Sequence, residues 1–278
     1  MTRAPRQPLR GRPPHKDADV TQTPTRKRVT LLGAGTIART IIEALKEADA
    51  ADIVAVLVRD ADKARAAFPD LPIMTDADAA LSAGADLVIE AATPDVVKEL
   101  ALPALALSDF CAFSLTSLAD AAFADQVAAA CATAGRSFYA PHGAVLALDG
   151  LADGREALET VTVTTTKSAK SFGLPEDARG LVFQGSARDA CARFPRNVNV
   201  HAAVAIAGLG FDRTQSRIIV EPGSSRMAHL IEAEGPGLNW SIEVASQSLG
   251  GVTGSYTPVS AAGSVLRILG AGSAVRIA

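Results

Sequence analysis

The sequence of 278 residues predicts an α/β protein, in which a Rossmann-type doubly wound parallel sheet precedes a second α+β domain built on a mostly antiparallel sheet. In residues 28–140, short apolar runs alternate with helical patterns, which is typical of parallel strands joined by helices. After about residue 144, strand patterns follow one another with few helices between them, which favours antiparallel pairing. A glycine turn lies between the first strand and the first helix.

This turn follows the strand predicted for residues 28–32 and has the spacing Gly-x-Gly-x-x-Ala, beginning at Gly33. A strand that passes through glycines into a helix directs backbone N–H groups and the positive helix end at one point, where a phosphate can bind. The spacing is that of the dinucleotide fingerprint. We therefore predict that the pyrophosphate of NAD or NADP is held by Gly33, Gly35, Thr36 and Ile37.

Two further strand ends are expected beside the same ligand. The strand at residues 53–58 is followed by Arg59 and Asp60. Asp60 is placed to bind an adenosine ribose 2′-hydroxyl and Arg59 a 2′-phosphate, so the pair leaves NAD versus NADP open. The strand at residues 86–92 ends in small residues, and Ala92 and Thr93 are expected where the backbone approaches the cofactor.

The remaining predicted elements complete the two domains. In the first half they are helices at 76–82, 94–107 and 119–134, the last with Ser117 as N-cap, and strands at 111–115 and 137–140. In the second half they are helices at 146–158, 186–193, 200–209 and 261–269, and strands at 161–166, 215–221, 228–234 and 238–245. The predicted organisation is a disordered basic extension (1–27), a dinucleotide-binding domain (28–143), a substrate domain (144–262) and a segment returning to the first domain (263–278).

Composition indicates a globular cytoplasmic protein. The formal charge is −3, and no apolar run approaches the roughly 20 residues of a transmembrane helix, so no membrane partner is expected. The three cysteines are far apart, which argues against disulfides and a metal site and for a reducing compartment. The basic extension lacks interleaved aromatic residues, so nucleic-acid binding is not predicted.

Candidate reactive side chains lie in the second half, but their spacing alone does not define a substrate. Histidine is eligible for proton transfer at His142, His201 and His229, and Lys167 ends a strand. Asn199 flanks a helix start, where an N-cap role is the alternative to ligand binding. No Ser-His-Asp order, carboxylate pair or metal-ligand cluster is present in the pattern.

Three segments resemble the L-aspartate dehydrogenase family. They are residues 184–190 (Gln-Gly-Ser-Ala-Arg-Asp-Ala), residues 194–200 (Phe-Pro-Arg-Asn-Val-Asn-Val) and residues 229–235 (His-Leu-Ile-Glu-Ala-Glu-Gly). Residues 207–214, Gly143-Ala144 and Lys167 match as well, and the resemblance extends from about residue 28 to the C-terminus.

The resemblance implies NAD(P)-dependent oxidation of L-aspartate to iminosuccinate, which hydrolyses to oxaloacetate and ammonia, or the reverse reaction. It implies that His229 is catalytic and that Ala144 and Asn199 contact the cofactor. For the substrate carboxylates the candidates are Lys167 and, more weakly, His201. We also expect a homodimer formed through the open face of the second sheet.

The sequence departs from the family pattern near the expected substrate pocket. Met227 stands where the family usually has asparagine, and Tyr256 replaces a lysine in the stretch that ends at Thr257. Leu146 and His142 replace residues that are small in most relatives. These positions leave open the same chemistry on a different amino acid or imine. A non-catalytic NAD(P)-binding regulator is a further alternative.

Overall fold

The computed structural model describes residues 26–249 and 253–271, which form two sheets that meet at a central cavity. The first sheet has six strands, all of them parallel, and the second has five strands that are mostly antiparallel. The predicted fold class is confirmed.

The first sheet has the strand order β3-β2-β1-β4-β5-β6. Its strands are β1 (Lys27–Leu32), β2 (Ala51–Leu57), β3 (Ile73–Met74), β4 (Leu87–Glu90), β5 (Asp109–Ala112) and β6 (Phe138–Tyr139). Its helices are α1 (Thr36–Glu47), α2 (Ala61–Ala67), α3 (Ala77–Leu81), α4 (Pro94–Leu105) and α5 (Ala121–Ala134). The strand order reverses between β1 and β4, and in such sheets ligands bind beyond the carboxyl ends of the strands at this point.

Buried apolar strands and polar helix caps explain this half of the fold. Every residue of β4 is buried, as a central parallel strand requires when helices cover both faces. The carboxylate of Asp120 accepts a hydrogen bond from the Phe123 N–H and caps α5. The predicted N-cap at Ser117 is therefore wrong: Ser117 lies in a 3₁₀ turn (Leu115–Ala119) and donates its hydroxyl to the Ser114 carbonyl.

The second sheet has the strand order β11-β10-β7-β9-β8, and within it only β7 and β9 pair in parallel. Its strands are β7 (Thr160–Lys167), β8 (Gly180–Ser186), β9 (Gln215–Val220), β10 (Arg226–Gly235) and β11 (Leu238–Gln247). The helices of this half are α6 (Leu148–Asp153), α7 (Ala169–Phe172), α8 (Ala187–Arg193), α9 (Asn199–Ala207), α10 (Gly210–Arg213) and α11 (Tyr256–Ile268). Along β7 and β10, alternate residues are buried beneath the helices.

Two sequence predictions for this half were wrong. Strand β8 was not predicted, because it is a sheet-edge strand that begins at a glycine and shows no alternation of buried and exposed residues. The helix predicted for residues 146–158 is interrupted. It consists of α6 and a 3₁₀ turn (Arg155–Ala157), which Gly154 separates.

Helix α11 returns to the first sheet. It begins at Tyr256 rather than at the predicted residue 261, and it packs against α1. Its buried residues Ala261, Ala262 and Val265 share a hydrophobic core with Ile41 and Ile42 of α1. The rest of the predicted C-terminal segment, residues 272–278, and the extension up to residue 25 lie outside the described residues. In the described part of the chain, no helix is long and apolar enough to cross a membrane.

Candidate active site

The largest group of predicted site residues lines one cavity between the two sheets. The first half of the chain contributes the glycine turn and the strand ends, including Gly35, Thr36, Ile37, Ala91, Ala92, Phe113, Ser114, His142 and Ala144. The second half contributes Lys167, Arg196, Asn197, Asn199, His229, Ser246 and Thr257. The cavity thus lies beyond the carboxyl ends of β1 and β4, where the topology predicts a ligand.

The glycine turn is shaped for an anion. Gly33 has φ +107°, and a Cβ atom there would lie 2.8 Å from the Ala91 carbonyl oxygen, so a side chain would clash. No atom lies within 4 Å of the corresponding position on Gly35, and no side chain caps α1. The first N–H groups of this 12-residue helix have no intrahelical partner, which fits a pyrophosphate.

One predicted contact at the turn is wrong. The N–H of Gly33 donates to the Leu57 carbonyl at 2.9 Å, so it is not free to bind a phosphate. Gly33 therefore shapes the turn, while Gly35, Thr36 and Ile37 line the cavity.

A buried carboxylate fixes the strand ends of the first sheet. Glu90, at the end of β4, is 0% exposed, and its two oxygens accept four hydrogen bonds. The donors are the backbone N–H groups of Ala92 (2.7 Å), Phe113 (3.1 Å) and Ser114 (2.9 Å), and the Ser114 hydroxyl (2.8 Å). Burial raises the pKa of Glu90, and these donors oppose that shift. Sequence reasoning missed this residue, although a carboxylate within the apolar run 86–92 was a visible signal.

Two asparagines approach the cavity from the start of α9. The Oδ1 atom of Asn199 accepts a hydrogen bond from the Thr116 N–H at 3.2 Å, which joins the two halves of the chain. The alternative role of Asn199 as an N-cap is wrong, since Val198 is the N-cap and no described side chain caps this helix. The Oδ1 atom of Asn197 is buried and has no hydrogen-bond partner in the part of the chain that the structure describes, although Asn197 lines the cavity. A buried acceptor of this kind fits a ligand N–H donor.

His229 is held on the floor of the cavity by its neighbour on β7. The residue is 4% exposed and lies directly opposite Thr165 in the pairing of β10 with β7. Its Nδ1 atom lies 2.9 Å from the Thr165 hydroxyl oxygen, which leaves Nε2 as the ring nitrogen available to a ligand. Burial, aided by Lys167 and then His201, lowers the pKa of His229 well below its usual value. The imidazole is therefore neutral at physiological pH.

Positive charge borders the cavity near His229. Lys167 is 3% exposed, donates to the Asn197 carbonyl at 3.3 Å, and has its Nζ 5.7 Å from the centre of the Phe172 ring. Burial lowers the pKa of Lys167 to about 8. Arg196 is exposed and lies at the rim of the cavity. Among the described residues, no aspartate or glutamate lines the cavity.

Several predicted site residues lie outside the cavity walls. Arg59 is exposed, the Asp60 carboxylate caps α2, and the Thr93 hydroxyl caps α4. His201 was proposed as a weak substrate contact, but it is 0% exposed and both of its ring nitrogens have side-chain partners. The prediction of a direct substrate contact for His201 is therefore wrong.

Three of the substitutions that set this chain apart from the family pattern, at Met227, Tyr256 and Leu146, avoid the cavity, whereas the fourth, His142, lines it. Met227 is buried, and its sulfur lies below Gly254, so Gly254 rather than Met227 forms the wall. Tyr256 begins α11 beside the wall, whereas Thr257 lines the cavity. Leu146 is 43% exposed and does not line the cavity. The structure does not support direct substrate contacts for Met227 and Tyr256.

Comparisons with known proteins agree with the two-part architecture. Residues 149–268 match the family described as "Aspartate dehydrogenase, C-terminal", and residues 33–141 match "Homoserine dehydrogenase, NAD binding domain". A crystal structure of aspartate dehydrogenase from Thermotoga maritima superposes with a TM-score of 0.70 at 21% identity, covering 91% of this chain and 100% of that one. The fold is therefore shared.

Curated relatives define the family. The chain is 35% identical over 215 residues to L-aspartate dehydrogenase 1 of Bordetella pertussis, covering 75% of this chain and 82% of the relative. It is 31% identical over 228 residues to the L-aspartate dehydrogenase of Methanopyrus kandleri, covering 80% and 87%. The chain belongs to the aspartate dehydrogenase family.

Proposed function

We propose that this protein is an NAD(P)-dependent dehydrogenase that oxidises L-aspartate to iminosuccinate, which hydrolyses to oxaloacetate and ammonia, or that catalyses the reverse reaction. The observation that carries the proposal is the pairing of a buried lysine and a buried neutral histidine in a cavity that has no acidic side chain among its described lining residues. This cavity adjoins the glycine turn of a dinucleotide-binding fold. Family membership supports the choice of aspartate as substrate.

The residues around the turn fit a dinucleotide. The first turn of α1 would hold the pyrophosphate, and the walls at Ala92, Ala144 and Asn199 would enclose the nicotinamide end. When bound, the nicotinamide supplies hydride transfer to or from the substrate Cα. Arg59 and Asp60, at the end of β2, are both exposed, so either an NAD ribose or an NADP phosphate could be bound there.

A dicarboxylic amino acid matches the polar groups of the cavity. Lys167 would bind one carboxylate from the buried end, and Arg196 would bind the other from the rim. The unpartnered Oδ1 atom of Asn197 would accept a hydrogen bond from the substrate amino group. Because the Asn197 carbonyl also accepts from Lys167, these two contacts are positioned together.

His229 would exchange protons at Nε2. Since Nδ1 is directed at Thr165, the other ring nitrogen can take a proton from the substrate amine, or from the water that attacks the imine. The same atom would return a proton in the reverse reaction. The side chain is nearly excluded from solvent, so its orientation is set by the protein rather than by water.

A substrate panel tests the proposal against its alternatives. Each amino acid is supplied with NAD or NADP, and NAD(P)H absorbance is recorded; we expect the highest kcat/KM with L-aspartate. Strong turnover of another amino acid with none on aspartate would instead favour a dehydrogenase or imine reductase of different specificity. Cofactor binding without turnover of any substrate would favour a non-catalytic regulator.

We further propose that the protein is a cytoplasmic homodimer. Cys111, Cys131 and Cys191 are free thiols, consistent with a reducing compartment. The face of the second sheet opposite His229 carries Thr164, Leu230, Arg217 and Glu243 in one row across four strands. Pairing of this face with a second copy would cover Leu230 and bring charges of opposite sign into range. Light scattering that gives the mass of a monomer would contradict the dimer.

A further inference from the structure

Behind His229 lies a chain of buried polar side chains that no step of the proposed reaction uses. The Thr165 hydroxyl oxygen is 2.9 Å from His229 Nδ1 and 2.7 Å from His201 Nε2. On the far side of the second ring, His201 Nδ1 is 2.8 Å from the Ser216 hydroxyl oxygen. Thr165, His201 and Ser216 are all 0% exposed, so water does not reach this chain.

Four secondary-structure elements hold these side chains in place. Thr165 and His229 face each other on neighbouring strands, Ser216 lies on β9 next to β7, and His201 comes from α9, which covers the buried face of the sheet. His201 lies in the first turn of the helix that begins at Asn199. A helix interior packed against apolar neighbours does not require a histidine, and burying its two polar nitrogens costs free energy unless both are hydrogen-bonded. This cost points to a role beyond packing.

The single proton of the Thr165 hydroxyl couples the tautomers of the two rings. A threonine hydroxyl has one proton, so it can donate to only one of the two imidazole nitrogens that it contacts, and the other nitrogen must carry a proton and donate to it. With both rings neutral, the tautomer of His201 then fixes the tautomer of His229. We propose that His201 is a positioning residue that acts through Thr165 to fix the ring orientation and tautomer of His229.

Only one of the two proton arrangements suits a base, and this step rests on the proposed function. If His229 carries its proton on Nδ1, it donates to Thr165, Thr165 donates to His201 Nε2, and His201 Nδ1–H donates to Ser216. His229 Nε2 is then a bare acceptor facing the cavity. In the opposite arrangement, Ser216 donates to His201, His201 donates to Thr165, and Thr165 donates to His229 Nδ1. His229 Nε2 then carries a proton and cannot accept one from the substrate.

The charged and titratable groups around His229 do not supply this orientation. Those that affect its pKa are Lys167 on β7 and His201 on α9, and the residues that pair with His229 on β7 and β11 are Thr165 and Val244. No carboxylate contacts the His229 ring within the described residues. Thr165 therefore takes the place that an aspartate has in a catalytic triad, with His201 behind it.

Nitrogen-15 NMR of histidine-labelled protein without ligands tests the proposal directly. The chain has four histidines, so each ring can be assigned by substitution. In the unsubstituted protein we expect a single His229 tautomer protonated on Nδ1. In Thr165→Val, and to a smaller degree in Ser216→Ala, we expect His229 to become a mixture of tautomers. An unchanged His229 tautomer in both variants would overturn the proposal.

The same experiment separates this proposal from the proposed function. A single His229 tautomer with the proton on Nε2, lost in the two variants, would support the coupling while contradicting the role of His229 as a base. Ser216→Ala is informative even if Thr165→Val does not fold, because it removes one hydroxyl at the far end of the chain and leaves Thr165 and both histidines intact.

Kinetics provide the second measurement. We expect Thr165→Val and His201→Leu to lower kcat by about 10–100-fold with KM changed much less, because the tautomer and not the binding surface is altered. Thr165→Ser keeps the hydroxyl and should restore most of kcat. Thr160→Val, at the exposed start of the same strand, is the matched control. Equal losses in Thr165→Ser and Thr165→Val would contradict a role for the hydroxyl.

Discussion

Glu90, in the sheet behind one wall of the cavity, and His229, in the other wall, are held by different kinds of hydrogen-bond partner. In the first sheet, Glu90 accepts three of its four hydrogen bonds from backbone N–H groups. In the second sheet, His229 is oriented through the side chains of Thr165, His201 and Ser216 alone. Backbone donors are present whatever the side chains are, whereas the second network exists only with these residue types.

This difference separates the part of the site that fits the cofactor from the part that fits the substrate. A wall built on backbone geometry suits a dinucleotide, whose pyrophosphate is recognised by N–H groups and a helix end. A wall built on side chains can be altered by single substitutions, so it is suited to define substrate and proton transfer. Substitutions in the first wall should therefore affect stability and cofactor binding, and substitutions in the second wall should affect turnover.

The largest effect is expected at His229. In His229→Ala, kcat should fall by about 10²–10⁴-fold because the ring nitrogen that would exchange the proton is lost. Cofactor affinity, measured by NADH fluorescence, should stay within a factor of about 3, since a fold-change of that size is below 1 kcal/mol. A comparable loss of cofactor affinity would show that the two walls are not separable in this way.

Replacing Glu90 with glutamine should affect stability and cofactor binding rather than turnover. In Glu90→Gln an amide NH₂ replaces one oxygen and faces groups that are themselves donors, which leaves buried donors unsatisfied. We expect a loss of about 1–3 kcal/mol in the free energy of unfolding, together with weaker cofactor binding. Urea denaturation gives the stability. Glu99→Gln, on the exposed side of α4, is the control and should change stability by less than about 0.5 kcal/mol.

The lowered pKa of Lys167 should make the affinity for a dicarboxylate depend on pH. Its pKa is lowered to about 8, so without ligand the ammonium is charged below that pH and neutral above it. Succinate has two carboxylates and no amine, so its charge does not change in this range. Its affinity should be constant below about pH 8 and should then fall by up to tenfold per pH unit, because binding requires the lysine to take up a proton.

Calorimetric titration with succinate at pH values on both sides of the Lys167 pKa measures this change in affinity. Lys167→Met should bind succinate weakly at every pH, with a flat profile. Lys170→Met, in which the replaced lysine is exposed on α7, should keep the profile of the unsubstituted protein. A slope that persists in Lys167→Met would assign the titration to another group.

The glycine turn and the parallel sheet could be predicted from the sequence, whereas the hydrogen-bond networks of the site could not. The glycine turn at Gly33 and the parallel sheet were predictable because spacing and periodicity are local, backbone-level signals. The contribution of Glu90 was not, since its four donors come from loops after two different strands. The role of His201 was misjudged for a similar reason. Nothing in the spacing of residues 165, 201, 216 and 229 indicates that β7, α9, β9 and β10 bring them together.

The smallest predicted effect tests a hydrogen bond that joins the two halves of the chain beside the cavity, from the Thr116 N–H to Asn199 Oδ1 at 3.2 Å. Asn199→Ala removes it and should cost about 0.5–1.5 kcal/mol of unfolding free energy. Asn239→Ala, on the exposed edge of β11, is the control. Because Asn199 lies at the junction, its substitution should lower both cofactor affinity and kcat by modest and similar factors. If only cofactor affinity or only kcat fell, Asn199 would serve one wall of the cavity and not both.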